Sequence, residues 1–200
     1  MIERYSRKEV KKIWDDYNKY SLWLDIELAA AEAMEKLKII PKGVVKKVKS
    51  KARINVKRIL QIEDKVKHDV IAFLTSIAEK VGKEARHLHK GMTSSDVLDT
   101  CFNMQLKRSG EILIKDIDQL LISIKQKALK HKYTLCIGRS HGVHAEPITF
   151  GLKMLTFFQE FLRSGFALGS GEPCFIVKCP QDGPRMSGCF AQGGASPERA

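Results

Sequence analysis

Long apolar stretches are absent from this sequence of 200 residues, although hydrophobic residues make up 44% of it. No apolar run reaches the roughly eighteen residues that a membrane-spanning helix needs, so the sequence predicts no membrane segment. The N-terminal segment MIERYSRKEVKKIW is charged and lacks the apolar core of a secretory signal peptide. These absences predict a cytoplasmic protein with no membrane partner.

Acidic residues are scarce beside basic ones, because 23 Asp and Glu face 35 Lys and Arg and leave a net charge of +12. Such an excess is typical of nucleic-acid-binding proteins. Here the basic residues are scattered along polar helix faces, as in Lys46–Lys51, and no aromatic residues alternate with them to stack on bases. We therefore expect no nucleic-acid partner. An anionic small substrate or a lysine-rich solvated surface explains the charge more simply.

Residues 1–163 contain few prolines and glycines, and their apolar residues recur at helical spacing. Helices are predicted for 20–38, for 64–81, from Ser94 or Ser95 to about Ser109, for 111–131, and for 148–163 after Pro147. No β-hairpin is evident before residue 164. The predicted class is all-α, with an N-terminal helical domain over 1–110 and the first helices of a long central bundle over 111–163. The apolar seam of that bundle comprises Leu113, Ile117, Leu120 and Ile124.

The composition changes sharply near Ser164. Residues 164–200 hold 7 of the 14 glycines, 4 of the 6 prolines and 3 of the 5 cysteines, but only one lysine. This segment has no helical period, so we expect an irregular, disordered tail. The abruptness of the change leaves a second interpretation open, in which the tail is non-native through a shifted reading frame or a foreign fusion.

Three polar segments interrupt the helical pattern. The first, Lys67-His68-Asp69, is either surface polarity or a histidine held as an acid or base by a carboxylate. The second begins at His89 and runs through Thr93-Ser94-Ser95-Asp96. It is either an ordinary helix N-cap or an anion site at a helix start.

The third polar segment, Gly138 to Pro147, holds His141 and His144 three residues apart. Two histidines with Glu146 suggest zinc, but no third ligand stands at a standard offset and Gly142 breaks the helix that would present both rings. The cysteines show no metal spacing either, so we expect no metal site. A glycine-flanked loop that presents one catalytic imidazole fits this segment better.

Together these segments resemble the adenylosuccinate lyase family, within the fumarase/aspartase superfamily, over about residues 1–163. The matching stretches are Arg4-Tyr5, Ser21 through Gly43, His68-Asp69, Thr93–Val97 and His141–Pro147. Argininosuccinate lyases and fumarases carry Asn where this chain has Ser95. The resemblance therefore favours the N-terminal part of an adenylosuccinate lyase over another lyase of the superfamily.

The resemblance implies an enzyme of purine biosynthesis, in the IMP and AMP branches. Such an enzyme eliminates fumarate from adenylosuccinate and from the succinylated aminoimidazole-carboxamide ribotide, uses no cofactor or metal, and forms a homotetramer. The implied catalytic residues are His141, as general acid, and His68, which assists and also contacts substrate. The other implied substrate-binding residues are Arg4, Tyr5, Lys67, Asp69, His89 (at the phosphate), and Thr93 and Ser94 (at the succinyl carboxylates).

The family's general base is a serine on a mobile loop that this sequence does not contain. The resemblance also implies that each active site combines segments from three subunits. We therefore expect a truncated chain that is inactive alone. The alternative is a non-catalytic helical module that binds ligand weakly or associates with full-length subunits.

Overall fold

The structure is a computed structural model that describes residues 3–169. The helices and strands in chain order are a 3₁₀ turn Glu3–Tyr5, α1 Lys8–Ile13, α2 Asp16–Lys36, α3 Val44–Lys51, α4 Val56–Val66, α5 Asp69–Val81, a 3₁₀ turn Lys83–His87, α6 Ser94–Lys130, β1 Leu135–Ser140, β2 Val143–Thr149 and α7 Phe150–Gly169. The predicted all-α class is confirmed, since the described residues are helical apart from one two-stranded hairpin.

The chain forms two compact units, which we call unit 1 (Met1–Leu120) and unit 2 (Leu121–Ala200). Of these, residues 3–120 and 121–169 are described. The predicted domain boundary at residue 110 lies inside α6, which runs without interruption from Ser94 to Lys130.

Unit 1 is built around an aromatic cluster of α2 and α5, in which Tyr20, Trp23 and Phe73 are almost completely buried. The Trp23 ring meets Tyr20 edge-on at 5.2 Å and Phe73 edge-on at 5.5 Å between ring centroids. Such edge-to-face pairs add about 0.5–1.5 kcal/mol each beyond the apolar area they bury. The cluster therefore fixes α5, whose first residue, Asp69, is the last residue of the first polar segment.

The helix ends of unit 1 follow local sequence chemistry. The Asp15 side chain accepts a 2.6 Å hydrogen bond from the Asn18 backbone N–H and caps α2, while Asn55 caps α4 through the Arg58 N–H. Gly82 ends α5 with φ 82°, a backbone conformation that only glycine adopts freely. The helix therefore ends at Val81, where the sequence predicted its end.

Two predicted helices are one. The break expected between Ser109 and Glu111 is wrong, because Gly110 continues α6 in helical geometry. Glycine inside a helix costs only about 1 kcal/mol relative to alanine, so a single Gly110 does not end a helix of 37 residues.

Unit 2 contains a β-hairpin that the sequence interpretation missed. Strands β1 and β2 pair antiparallel, with Cys136 opposite Ile148 and Ser140 opposite Val143. Pro147, predicted as the first residue of a helix, instead lies opposite Ile137 in β2. A two-stranded hairpin consists of edge strands only, where a residue without an N–H is tolerated.

Helix α7 begins at Phe150, and its first turn is capped by Thr149, whose Oγ1 accepts a 3.2 Å hydrogen bond from the Leu152 N–H. The helix extends to Gly169, so the prediction of an irregular tail is wrong for residues 164–169. The rest of that tail, with its expected disorder or foreign origin, lies outside the described residues.

Glycine is required where α7 begins. A Cβ atom on Gly151 would lie 2.5 Å from the Ala128 carbonyl oxygen and 2.7 Å from the Lys132 Cα. The start of α7 and the end of α6 therefore touch through their backbones. Within residues 3–169, no helix is both long and apolar enough to cross a lipid bilayer.

Candidate active-site segments

The first polar segment lies at the junction of α4 and α5. Lys67 ends α4 in the left-handed conformation, with φ 55°, and its Nζ lies 2.7 Å from the Asp64 carboxylate. His68 caps α5, because its Nδ1 accepts from the Ile71 N–H at 3.4 Å. The predicted helix 64–81 is wrong in its first residues, because α4 continues to Val66 and α5 begins only at Asp69.

The side chains of His68 and Asp69 lie close together, although neighbouring side chains at a helix usually point apart. Their Nδ1 and Oδ1 atoms are 3.5 Å apart, and both side chains are about 40% exposed. Because Nδ1 faces the protein, Nε2 is the nitrogen that remains for a ligand. Lys67, His68 and Asp69 thus form one exposed polar corner.

The second segment is held by a buried carboxylate that the sequence interpretation did not single out. Glu27 of α2 has a fully buried side chain, and its Oε2 accepts a 2.7 Å hydrogen bond from the His89 backbone N–H. The His89 Nδ1 lies 2.6 Å from the other oxygen, Oε1. Buried carboxylates are costly unless paired in this way. The only sequence cue was a glutamate among the apolar residues of α2.

The hydroxyl-rich stretch forms one half of a capping box, in which the Asp96 carboxylate accepts from Thr93. Both the N–H and the Oγ1 of Thr93 donate to Asp96 Oδ2, at 2.7 and 3.0 Å. The hydrogen bond from the backbone N–H of Thr93 contributes most to lowering the pKa of Asp96, and the hydrogen bond from its hydroxyl contributes next. Thr93 therefore begins α6 with its donors engaged, whereas no side-chain hydrogen bond of Ser94 occurs within residues 3–169.

The third segment presents His141 at the tip of the hairpin. Ser140 and Val143 pair, so His141 and Gly142 form a two-residue turn. Their φ angles of 52° and 78° identify a type I′ turn, in which both central residues are left-handed. The expectation of a glycine-flanked loop is met by this turn, which exposes the imidazole. His144 lies in β2, opposite Arg139.

At the N-terminus, the 3₁₀ turn Glu3–Tyr5 carries two predicted nucleotide contacts. The Arg4 guanidinium lies 4.8 Å from the centroid of the Tyr5 ring, and the ring is 74% exposed. This cation–π contact leaves the ring of Tyr5 accessible to a ligand.

Three of the predicted site residues share an uncommon backbone conformation. Four non-glycine residues between 3 and 169 have positive φ, namely Lys38, Lys67, His89 and His141. Three of them belong to the three predicted segments. Left-handed non-glycine residues cost of order 1–3 kcal/mol and cluster at functional sites. Backbone geometry therefore singles out the same segments as the residue chemistry.

The structure does not join these segments by direct bonds. Within the described residues no hydrogen bond or ion pair links 67–69 to 89–94, and His141 belongs to unit 2 while the other candidates belong to unit 1. No group of three or more His, Cys, Asp or Glu side chains in residues 3–169 is arranged to hold a metal ion.

Comparison with known proteins decides the family. Residues 3–166 match the sequence model of a family described as Lyase. The chain belongs to this lyase family. It is 48% identical over 164 residues to an adenylosuccinate lyase of Synechocystis and 46% identical to that of Bacillus subtilis, over 82% of this chain. The chain spans 38% of the length of each of these relatives.

Solved structures confirm the fold. A fumarate lyase from Mesorhizobium superposes with a TM-score of 0.78 at 22% identity, covering 82% of this chain and 40% of the other. A 3-carboxy-cis,cis-muconate lactonizing enzyme from Pseudomonas putida gives 0.76 at 25% identity, covering 83% and 40%. The lyase chain described here thus has the helical architecture of the fumarase/aspartase superfamily.

Proposed function

We propose that this chain contributes to an adenylosuccinate lyase, which eliminates fumarate from adenylosuccinate and leaves AMP. The same elimination acts on the succinylated aminoimidazole-carboxamide ribotide. The observation that carries the proposal is the 46–48% identity over 164 residues with proteins named adenylosuccinate lyase. The solved structures that carry other names share only 22–25% identity, which argues against another lyase of the superfamily.

His141 is the general acid of this mechanism. Breaking the C–N bond requires a proton for the departing nitrogen and removal of a weakly acidic proton beside a carboxylate. The exposed imidazole of His141 can donate that proton, an effect worth roughly 10²–10⁴-fold in rate. At the position of His141 in the type I′ turn, Asn or Gly would be less strained than histidine. The presence of histidine there supports a functional role for its ring. His68 assists in proton transfer through its outward Nε2.

The anionic groups of the substrate are held by the other segments. Arg4 and Lys67 supply positive charge, and Tyr5 offers an exposed ring to the nucleotide. Ser94, in the first turn of α6, is the better donor to a succinyl carboxylate, because Thr93 already donates to Asp96. Asp69 and His89 complete the set, with His89 at the phosphate.

The remaining parts of the enzyme are further proposals. We infer that the general base is a serine outside these 200 residues and that the working enzyme is a cytoplasmic homotetramer with sites shared between subunits. Exposed apolar residues of α6 and α7, such as Leu113 and Leu155, would then lie in subunit contacts. Neither a cofactor nor a nucleic-acid or membrane partner is required.

A second candidate is a non-catalytic helical module that binds ligand weakly or joins full-length subunits. It is favoured by one observation, namely that the chain spans only 38% of each relative. Turnover by mixed oligomers distinguishes the two candidates.

The test is complementation. The chain is co-expressed with the Bacillus subtilis relative whose residue aligned with His141 is replaced by alanine, and mixed oligomers are purified. We expect partial recovery of adenylosuccinate cleavage, followed by absorbance, and no turnover of argininosuccinate. The chain alone should show only background turnover, since a catalytic unit that lacks one member loses most of its effect. Mixed oligomers without recovered activity would favour the non-catalytic module.

A further inference from the structure

The pairing of Glu27 with His89 joins a fully buried carboxylate to a partly buried imidazole in unit 1. The Glu27 side chain is fully buried, the His89 side chain is 22% exposed, and the two residues are 62 positions apart. Both carboxylate oxygens are directed at one residue, Oε2 at the backbone N–H and Oε1 at the ring Nδ1. The hydrogen bond to the backbone N–H of His89 would by itself anchor the loop. The second contact, to the ring Nδ1, therefore requires another explanation.

The donor count fixes the tautomer of His89 when Glu27 is ionised. The backbone N–H of His89 is always a donor, so one oxygen of Glu27 must accept. An ionised carboxylate accepts at its second oxygen too, and the facing Nδ1 must then carry the hydrogen. Nε2 is left pointing away from Glu27, and no hydrogen bond to it occurs within residues 3–169. His89 therefore offers Nε2 to a ligand.

The backbone supports the same orientation. His89 is held at φ 57°, and Gly91 follows at φ 73°, so the chain turns sharply between the 3₁₀ turn at Lys83–His87 and α6. A left-handed histidine is strained, and the carboxylate below it supplies the contact that keeps it there.

We propose that Glu27 is a positioning residue: its two oxygens fix the backbone and imidazole of His89, so that Nε2 faces the phosphate of the substrate. This inference rests on the proposed function, which makes His89 the phosphate contact. When the ring is protonated, Nδ1–H remains on Glu27 and Nε2–H donates to the anion. Glu27 itself touches no substrate.

The first measurement is the tautomer of His89, read from long-range ¹H–¹⁵N correlations of the ¹⁵N-labelled chain near pH 8. The signals are assigned by their loss in His89→Gln. The wild-type ring should be the Nδ1–H tautomer. In Glu27→Gln it should become Nε2–H, because an amide has one acceptor and one donor, and only an unprotonated Nδ1 satisfies both contacts.

The second measurement is binding of inorganic phosphate and AMP near pH 6, followed on the His89 ring signals. Glu27→Gln should bind about tenfold more weakly than wild type, since a charged hydrogen-bond partner is lost. Glu27→Asp keeps both acceptors and should retain the Nδ1–H tautomer. Glu79→Gln, which removes a carboxylate from the exposed pair with Arg58, is the matched control and should bind like wild type.

The outcomes separate the inference from the proposed function. A wild-type Nε2–H tautomer overturns the inference even when no Glu27 variant folds, and so does a folded Glu27→Gln chain that keeps Nδ1–H. When the tautomer switches as expected but neither phosphate nor AMP shifts the His89 signals, the phosphate contact fails. That result contradicts the proposed role of His89 at the phosphate and supports Glu27 as the residue that orients His89.

Discussion

Units 1 and 2 bury their apolar residues very differently. Every buried apolar side chain of the described residues lies between Tyr20 and Cys101, in unit 1. In the described part of unit 2, Leu135 and Phe166 are about 80% exposed. Unit 2 is instead held by backbone contacts, namely the hairpin ladder and the approach of Gly151 to the end of α6. Unit 1 thus carries its own hydrophobic core, whereas the described residues 121–169 of unit 2 do not.

The largest difference should come from large-to-small substitution. Phe73→Ala removes a fully buried ring and should cost about 3–5 kcal/mol of unfolding free energy. Phe166→Ala, at an exposed position, should change it by less than about 0.5 kcal/mol. Urea denaturation followed by circular dichroism measures both. Equal costs would mean that unit 2 has a core comparable to that of unit 1.

A pair of glycines gives the next effect. Gly151→Ala places a Cβ against the Ala128 carbonyl and should destabilise unit 2 by about 1–3 kcal/mol. Gly110→Ala meets nothing within 4 Å and lies inside α6, so it should stabilise the chain by about 1 kcal/mol. Thermal unfolding should show opposite shifts. A stabilising effect of Gly151→Ala would contradict the close approach of the two backbones.

The same contrast explains which elements were predictable. The apolar face of the predicted helix 64–81 is buried at Val70, Phe73 and Ile77, because unit 1 supplies the partner that their spacing requires. On the same face Val66 is exposed and Leu74 is half-buried. The predicted seam of α6 stays a prediction, with Ile117 and Ile124 half-buried and Leu113 and Leu120 exposed.

The hairpin and the Glu27 contact were missed for physical reasons. Strand β2 is exposed over residues 143–147, and β1 alternates only between exposed and half-buried residues, so neither strand has the buried apolar face of a strand that packs on a core. Pro147 fits the first turn of a helix as well as an edge strand. Glu27 and His89 are 62 positions apart, and only the packing of α2 brings them together.

The smallest effect concerns the cap of α6 and depends on pH. Hydrogen bonds from Thr93 lower the pKa of Asp96 in the folded chain below its ordinary value of about 3.9. Its contribution to stability is therefore complete above that ordinary value and is lost as the pH falls through the lowered one. Asp96→Asn should be less stable than wild type at pH 6, and the difference should vanish as the pH falls through the lowered pKa of Asp96. A difference that is independent of pH would contradict the charged cap.

The central claim is that His141 supplies the proton to the departing nitrogen, and His141→Asn tests it most directly. Asparagine favours the left-handed conformation of a type I′ turn, so the hairpin should persist while the imidazole is lost. The measurement is adenylosuccinate cleavage by mixed oligomers with the Bacillus subtilis subunit that lacks the aligned residue. We expect partial cleavage activity with the wild-type chain and only background activity with His141→Asn, when the two chains are incorporated equally. Equal recovery with both would contradict it.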